Sequence, residues 1–236
     1  MYKNVVKKGK VIVIEGSDGS GKATQTKKLF DRLAEEGRRI KKVEYPNYGS
    51  DSSALVKMYL NGEFGSRPDD VNPYAASSFY AVDRYASFKK EWEDFHQGGG
   101  IVLADRYTTA NMVHQASKID DPAQREQFLD WLWDYEFVKL GLPVPDCVIF
   151  LDVDPSCSRR LMENRSNKIS GEQDKDIHEK DAAFLQKSYE SSRQVAEKYD
   201  WVRINCLEAG VLRGIEDIHQ EIYSRIQNII EGDVFV

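Results

Sequence analysis

Cysteines and long apolar runs are both scarce in this chain of 236 residues. Its three cysteines are Cys147, Cys157 and Cys206, an odd number without the spacing of a metal site. This pattern argues against a disulfide framework and fits a reducing compartment. The first apolar run, residues 11–14, is much too short for a signal peptide or a membrane span. We therefore expect a cytoplasmic protein without a membrane partner.

An excess of positive charge is missing as well. The chain has 33 Lys and Arg against 39 Asp and Glu, a formal net charge of -6. No overall positive field attracts polyanions, so we expect no nucleic-acid partner, and any phosphate site must be built locally. The length suits a single α/β domain over residues 1–236, with two smaller domains as the alternative.

Short apolar runs alternate with helical patterns, which predicts βαβ units and a parallel sheet. The predicted strands are residues 11–14, 40–45, 101–104, 148–151 and 202–204, and the predicted helices are residues 22–36, 52–61, 73–97, 121–140 and 214–230. Pro73 suits a helix start, and the glycines at 98–100 suit its end. The expected fold class is α/β, with a five-stranded parallel sheet flanked by helices.

One segment departs from this alternation. Residues 163–180 are dense in charge and lack an apolar stripe. Such segments are usually solvated surface loops. The alternative is a lid over a phosphate site, and the motif that follows the first strand favours the lid.

A glycine-rich loop joins the first predicted strand to the first predicted helix. It comprises Gly16, Ser17, Asp18, Gly19, Ser20, Gly21 and Lys22, the core of a Walker A loop in its usual context. The glycines let successive N–H groups turn inward around a phosphate, and the helix N-terminus adds partial positive charge. Lys22 would bind the β- and γ-phosphates of ATP. A glycine-rich turn without a ligand is the alternative, and this context disfavours it.

The loop departs from the Walker A pattern at Ala23, where a Ser or Thr hydroxyl normally holds Mg²⁺. Thr24 follows, but adjacent helix residues point about 100° apart, so its hydroxyl does not take the same place. Asp18 is the candidate replacement, either directly or through a water molecule.

A second motif, Asp105-Arg106-Tyr107, closes the third predicted strand. Ligands of open α/β sheets bind at that edge. The carboxylate could hold Mg²⁺ or its water, and the arginine could bind a phosphate through two parallel hydrogen bonds. Tyr80 and Arg84 share one face of a predicted helix. That face is either a core stripe with a partly buried arginine or one wall of a base pocket.

Taken in order, these motifs resemble those of thymidylate kinases. The matching features are the loop from Glu15 to Gln25, the pair Tyr45-Pro46, the pair Asp83-Arg84, the triplet Asp105-Arg106-Tyr107 with Asn111, and the segment Gly141-Leu142-Pro143-Val144-Pro145-Asp146. The resemblance covers residues 10–226. Many kinases share the loop alone, so the ordered set is what indicates the family.

The resemblance implies a three-layer P-loop kinase fold with a lid at about residues 163–180, and a homodimer. It implies transfer of the γ-phosphoryl group of ATP to dTMP, with Mg²⁺. The expected ATP-binding residues are Gly16, Ser17, Asp18, Gly19, Ser20, Gly21, Lys22, Ala23 and Thr24. The expected metal-binding residues are Asp18 and Asp105.

The resemblance also implies roles on the acceptor side. Tyr45 would stack on thymine, and Arg84 and Asn111 would hydrogen-bond the base edge. Arg106 would hold the dTMP phosphate, and Asp105 would support Mg²⁺ or that arginine. Asp18 would meet the sugar 3′-hydroxyl or the metal shell, and Tyr48 and Tyr107 could line the sugar pocket.

Members of the family differ in the position of a catalytic cation. Here Gly19 follows Asp18, which is similar to members that carry arginines in the lid rather than in the loop. The candidates are Arg159, Arg160 and Arg165, with Lys168 and Lys175 as weaker alternatives. The expected catalytic set is Lys22, Arg106, Arg165 and Asp18. His114 stands where an aromatic residue is expected near the sugar.

Two other functions are consistent with parts of the sequence. A nucleoside kinase needs a carboxylate that deprotonates a hydroxyl, and Glu15 or Glu44 could serve. Alternatively, Ala23 could mark a nucleotide-binding module without turnover. Lys22 together with the Asp105-Arg106 pair favours a phosphoryl-transfer enzyme. A monophosphate acceptor is itself the nucleophile, so that reaction requires no general base.

Overall fold

A computed structural model describes residues 8–155, 157 and 176–231, and a parallel sheet lies at its centre. The strands are β1 (Lys10–Gly16), β2 (Ile40–Glu44), β3 (Ile101–Asp105), β4 (Cys147–Asp152) and β5 (Val202–Asn205). Their order is β2-β3-β1-β4-β5, and every pairing is parallel. The predicted five-stranded parallel sheet is confirmed. Because β1 lies beside β3, the glycine-rich loop and the Asp105-Arg106-Tyr107 triplet leave the sheet side by side.

Helices cover both faces of the sheet. They are α1 (Lys22–Glu35), α2 (Ala54–Leu60), α3 (Pro73–Ser87), α4 (Glu93–Gln97), α5 (Thr108–His114), α6 (Pro122–Trp133), α7 (Ile177–Lys180), α8 (Ala182–Lys198) and α9 (Ile215–Glu231). A small antiparallel ribbon, β6 (Leu207–Glu208) and β7 (Val211–Leu212), follows β5. Within the described part of the chain, no helix is long and apolar enough to span a bilayer.

Apolar side chains of the strands reach both faces of the sheet, because successive side chains along a strand point to opposite faces. Ile12 and Ile14 of β1 belong to a core cluster that includes Leu29 of α1 and Ile222 of α9. Side chains of the opposite face, Val11 among them, pack in a second cluster with aromatic residues that follow α3. This arrangement of helices, sheet and helices confirms the predicted three-layer fold.

The long helix predicted over residues 73–97 is not one regular helix. It begins as predicted, with Pro73 in the first turn and the Asn72 side chain accepting from the Ala75 N–H. A π-helical turn at Phe88–Trp92 then separates α3 from α4. This turn lies beside the second core cluster, where the Trp92 Nε1 donates to the Tyr45 hydroxyl at 3.0 Å.

The predicted helix over residues 121–140 contains a similar irregularity. α6 continues into a π-helical turn at Asp134–Lys139. Glu136 is fully buried in this turn. Wider helical turns of this kind are rare and often occur at functional sites.

Three helices were not among the sequence predictions: the four-residue α7, and the longer α5 and α8. α5 is short and begins with two threonines, which are poor helix formers. α8 buries a face that includes Ser188, Ser191 and Ser192, so it lacks a continuous apolar stripe. α5 and α8 border the site described below.

Candidate active site

The glycine-rich loop follows β1 and leads directly into α1. Gly16, Gly19 and Gly21 all have positive φ angles, of 156°, 80° and 91°. A Cβ on Gly16 would lie 2.7 Å from the Ser20 Oγ and 2.9 Å from the Leu151 carbonyl oxygen. Glycine is therefore required at Gly16 both by conformation and by space.

Lys22 is folded over the loop that precedes it. Its Nζ donates to the carbonyl oxygens of Gly16 at 2.7 Å and Ser17 at 2.8 Å, and it lies 3.6 Å from the Asp18 Oδ1. Burial and the nearby Arg106 charge lower the pKa of Lys22, against the pull of Asp18. The lysine is thus held among the backbone groups that are predicted to bind phosphate.

Arg106 extends from the end of β3 toward the same loop. Its Nη2 donates to the Asp18 Oδ1 at 2.6 Å, and its Nη1 donates to the Glu15 Oε1 at 3.4 Å and to the His114 Nε2 at 3.0 Å. The backbone of Arg106 has φ 65°, an uncommon value for a residue with a side chain. Its N–H donates to the Ile14 carbonyl oxygen of β1 at 3.1 Å.

The charges of this cluster determine its protonation. Burial opposes the Arg106 charge, but Asp18, Glu15 and Asp105 outweigh it and raise the pKa of the guanidinium. Burial alone would raise the pKa of Asp18, yet the charges of Arg106 and Lys22 hold that pKa far below its usual range. Asp18 is therefore ionised at every physiological pH, between two cations.

Glu15 is buried beneath the cluster, and both of its carboxylate oxygens accept hydrogen bonds. The Oε1 accepts from the Gly16 N–H at 3.0 Å, and the Oε2 accepts from the Thr109 hydroxyl at 2.8 Å. The sequence suggests Glu15 as part of the loop motif or as a possible general base, but does not indicate its contact with Arg106. The two residues are 91 positions apart, so no local pattern signals their contact.

Arg84, which is predicted to contact a base, lies in a buried ion pair. Its Nε and Nη2 donate to Glu136 at 2.7 and 2.6 Å, and the Thr108 hydroxyl donates to the same carboxylate at 2.7 Å. No pattern in the sequence indicates that Glu136 pairs with Arg84. Asn111 is also buried, and its Nδ2 donates to the Ser77 carbonyl oxygen at 3.2 Å. Base contacts by Arg84 and Asn111 stay predictions.

The three tyrosines of the predicted acceptor pocket have different surroundings. Tyr45 is buried, with its hydroxyl donating to the Ser87 Oγ at 3.1 Å, and its stacking on a base stays a prediction. Tyr48 is half-buried, and burial raises its pKa, with Asp176 as the next cause. Tyr107 is fully buried in the core, and its hydroxyl donates to the Pro143 carbonyl oxygen at 3.2 Å. Tyr107 presents no exposed surface here, and its predicted place in a sugar pocket stays a prediction.

The residues that could hold a divalent cation are carboxylates. Thr24 is exposed to solvent, in agreement with the argument that its hydroxyl does not replace the one missing at Ala23. Both cations that contact Asp18 use its Oδ1. Within residues 8–155, 157 and 176–231 the Asp18 Oδ2 is not used in any hydrogen bond or ion pair. Asp105 is buried at the end of β3, at the same sheet edge. These oxygen donors suit Mg²⁺.

The predicted lid is largely outside the part of the chain that the structure describes. Arg159, Arg160, Arg165, Lys168 and Lys175 all fall there. The described end of the predicted lid is Asp176 with α7, where the Asp176 Oδ1 accepts from the N–H groups of His178 and Glu179 at 2.8 and 2.9 Å.

Comparison with known proteins identifies the family. A family model described as thymidylate kinase matches residues 14–222. This chain belongs to the thymidylate kinase family. The thymidylate kinase of Mycobacterium tuberculosis is 30% identical over 179 residues, which cover 75% of this chain and 81% of that protein. The Schizosaccharomyces pombe thymidylate kinase is 26% identical over 225 residues, 94% of this chain and 93% of that protein.

The fold of this thymidylate kinase is also that of a solved structure. A thymidylate kinase structure from Candida albicans superimposes with a TM-score of 0.71 at 20% identity, covering 94% of this chain and 92% of that chain. The predictions of a P-loop kinase fold, of the family and of an ATP-dependent thymidylate kinase are confirmed.

Proposed function

We propose that this thymidylate kinase aligns ATP and dTMP across the bridge that Asp18 forms between Lys22 and Arg106. The bridge is the observation that carries the proposal, since it joins the loop expected to bind ATP to the arginine expected to bind the acceptor phosphate. Phosphoryl transfer depends mainly on alignment and on neutralisation of spread negative charge. Lys22 and Arg106 supply two positive charges at adjoining positions.

On this proposal, Lys22 binds the β- and γ-phosphates and Arg106 binds the phosphate of dTMP. An oxygen of the ionised dTMP phosphate attacks the γ-phosphorus of ATP, the bond to the β,γ-bridging oxygen breaks and ADP leaves, so no side chain has to remove a proton. Glu15 is poorly suited to the base that a nucleoside kinase needs, because both its oxygens already accept hydrogen bonds. Glu44, the other candidate base, lies on the edge strand β2, and its Oε2 is 3.9 Å from the Lys42 Nζ.

We further propose Mg²⁺ as the metal, held by Asp18 and Asp105 directly or through water. Mg²⁺ in kinase sites takes one or two protein carboxylates and completes its octahedron with phosphates and water. The ionised state of Asp18 and the engagement of only its Oδ1 support this role. When bound, the ion would neutralise charge on the transferring phosphoryl group.

The remaining parts of the proposal concern the lid, the assembly and the compartment. Arg165 of the proposed lid would add a further cation, within a single kinase domain over residues 1–236.

Tyr74, Val82 and Tyr85 are exposed on one side of α3, which supports a homodimer packed through helices. Cys147 and Cys206 are buried free thiols, which supports a reducing, cytoplasmic location. Light scattering measures the mass of the protein in solution and thereby tests the proposed homodimer.

The experiment that tests the reaction measures ADP release from Mg-ATP with a panel of acceptors. The panel contains dTMP, dUMP, other monophosphates and thymidine. We expect turnover with dTMP and none with thymidine. Turnover with thymidine but not with dTMP would overturn the proposal in favour of a nucleoside kinase. ATP binding without acceptor-dependent ADP release would favour a binding module.

A further inference from the structure

His114, at the C-terminal end of α5, hydrogen-bonds the guanidinium of Arg106. Its Nε2 lies 3.0 Å from the Arg106 Nη1. Arginine has only donors, so the Nε2 must be the unprotonated nitrogen of the ring. The ring proton of a neutral imidazole is then on Nδ1, a buried atom with no hydrogen-bond partner in the described structure. The contact therefore fixes both the charge and the tautomer of His114.

The surroundings of His114 keep the ring neutral and in place. The ring stacks on Phe184 of α8 with a centroid separation of 6.1 Å and an interplanar angle of 28°. It lies 6.2 Å from the ring of His178. Burial, followed by the Arg106 charge, lowers the pKa of His114 to about 3. The Nε2 is thus a hydrogen-bond acceptor throughout the physiological pH range.

The hydrogen bonds of Arg106 engage the Nη1 with two acceptors and the Nη2 with one. Two acceptors face the Nη1, which has two hydrogens: the His114 Nε2 and the Glu15 Oε1. The Nη2 donates to Asp18 and has a second hydrogen. Within the described ranges, that hydrogen and the Nε–H have no acceptor. The Nε and Nη2 share one edge of the guanidinium, and such an edge can form two parallel hydrogen bonds with a phosphate.

We propose that His114 is a positioning residue for Arg106. By accepting from the Nη1, together with Glu15, it holds the guanidinium plane so that the Nε and Nη2 edge faces the acceptor phosphate. This inference rests on the proposed role of Arg106 in binding dTMP. His114 acts through the arginine and has no need to touch the nucleotide.

Two amide variants separate this role from simple packing. In His114→Gln the amide oxygen reaches the position of the imidazole Nε2, whereas in His114→Asn it reaches only the position of the Nδ1. His114→Phe keeps the ring against Phe184 and removes the acceptor. The measurement is the Kd of dTMP and of thymidine by titration calorimetry without ATP, with thermal unfolding to verify that each variant is folded.

We expect His114→Asn and His114→Phe to weaken dTMP binding on the order of tenfold. Thymidine lacks the phosphate, so its binding should change less than about twofold. His114→Gln should bind both ligands like the wild type. The inference is overturned if the Gln and Asn variants bind dTMP equally well, or if thymidine binding weakens as much as dTMP binding. Failure of the wild type to phosphorylate dTMP would instead overturn the proposed function.

Discussion

The Asp18 Oδ1 lies 2.6 Å from the Nη2 of Arg106, although the two residues are 88 positions apart in the chain. The same oxygen lies 3.6 Å from the Lys22 Nζ. One carboxylate therefore links the glycine-rich loop to the end of β3. The link depends on the neighbouring positions of β1 and β3, where Ile14 pairs with Asp105.

The first prediction concerns this carboxylate. Asp18→Asn removes the charge that both cations share and a proposed Mg²⁺ ligand. We expect kcat/KM for dTMP to fall on the order of 10²–10³-fold, the range found when a preorganised electrostatic group is removed. Steady-state kinetics measure the effect. The matched control is Asp31→Asn, which breaks an exposed ion pair with Lys27 and should leave the rate within about twofold. Retention of half the activity in Asp18→Asn would contradict the bridge.

The second prediction concerns the metal. If Asp18 and Asp105 hold Mg²⁺, then Ala23→Ser should shift the Mg²⁺ concentration for half-maximal rate by less than about twofold, since the ion takes few protein ligands. Titration of the rate with Mg²⁺ at fixed ATP measures this shift. A severalfold lower requirement in the Ser variant would show that the loop lacks a hydroxyl ligand, and that the carboxylates do not replace it.

The third prediction concerns the buried pair of Arg84 and Glu136. Glu136→Gln keeps the shape of the side chain but leaves the guanidinium charge buried and uncompensated. We expect a loss of about 3–5 kcal/mol in the free energy of unfolding, measured by urea denaturation. Asp134→Asn disrupts an exposed pair with Lys139 and should cost less than about 1 kcal/mol. Equal costs for the two variants would be inconsistent with a charge buried at Arg84.

The fourth prediction concerns pH and Asp176. Burial, with a contribution from the charges of Glu179 and Asp18, raises the pKa of Asp176 to about 6 from 3.8. Because the folded pKa is the higher one, the stabilising contribution of the protonated acid is complete below pH 3.8 and is lost as pH rises through 6. Asp176→Asn keeps an oxygen that can accept from the N–H groups of α7 and has no titration.

We therefore expect Asp176→Asn to match the wild type near pH 4 and to exceed its free energy of unfolding by about 1–3 kcal/mol above pH 7. Urea denaturation between pH 4 and pH 8 measures the difference. A difference that stays constant with pH would mean that the carboxyl does not titrate in this range.

The strands β1, β3 and β4 were predictable because they are buried on both faces and therefore contain continuous apolar runs. The prediction at residues 148–151, for example, falls within β4 at Cys147–Asp152. The π-helical turn that contains Glu136 was not predictable, because its residues are compatible with an ordinary helix. α8 was missed for a related reason: the helix buries serines, whose polarity conceals a core-facing side.

In the site, the glycine-rich loop could be assigned its chemistry from the sequence, since consecutive residues form the backbone nest. The surroundings of Arg106 could not. A carboxylate from before the loop, another from within it and an imidazole from α5 meet at one guanidinium. Each of these residue types is common, and none has a spacing that indicates the others.

The sequence by itself determined the glycine-rich loop, the order of the five parallel strands along the chain, and the resemblance to thymidylate kinases. These features rest on local patterns of glycine, lysine and apolar residues. Only the tertiary structure decided that Tyr107 is a core residue, that Glu136 neutralises Arg84, and that His114 accepts from Arg106. The reason is that such contacts depend on which elements lie side by side, and here the β2-β3-β1-β4-β5 order of the sheet brings distant residues together.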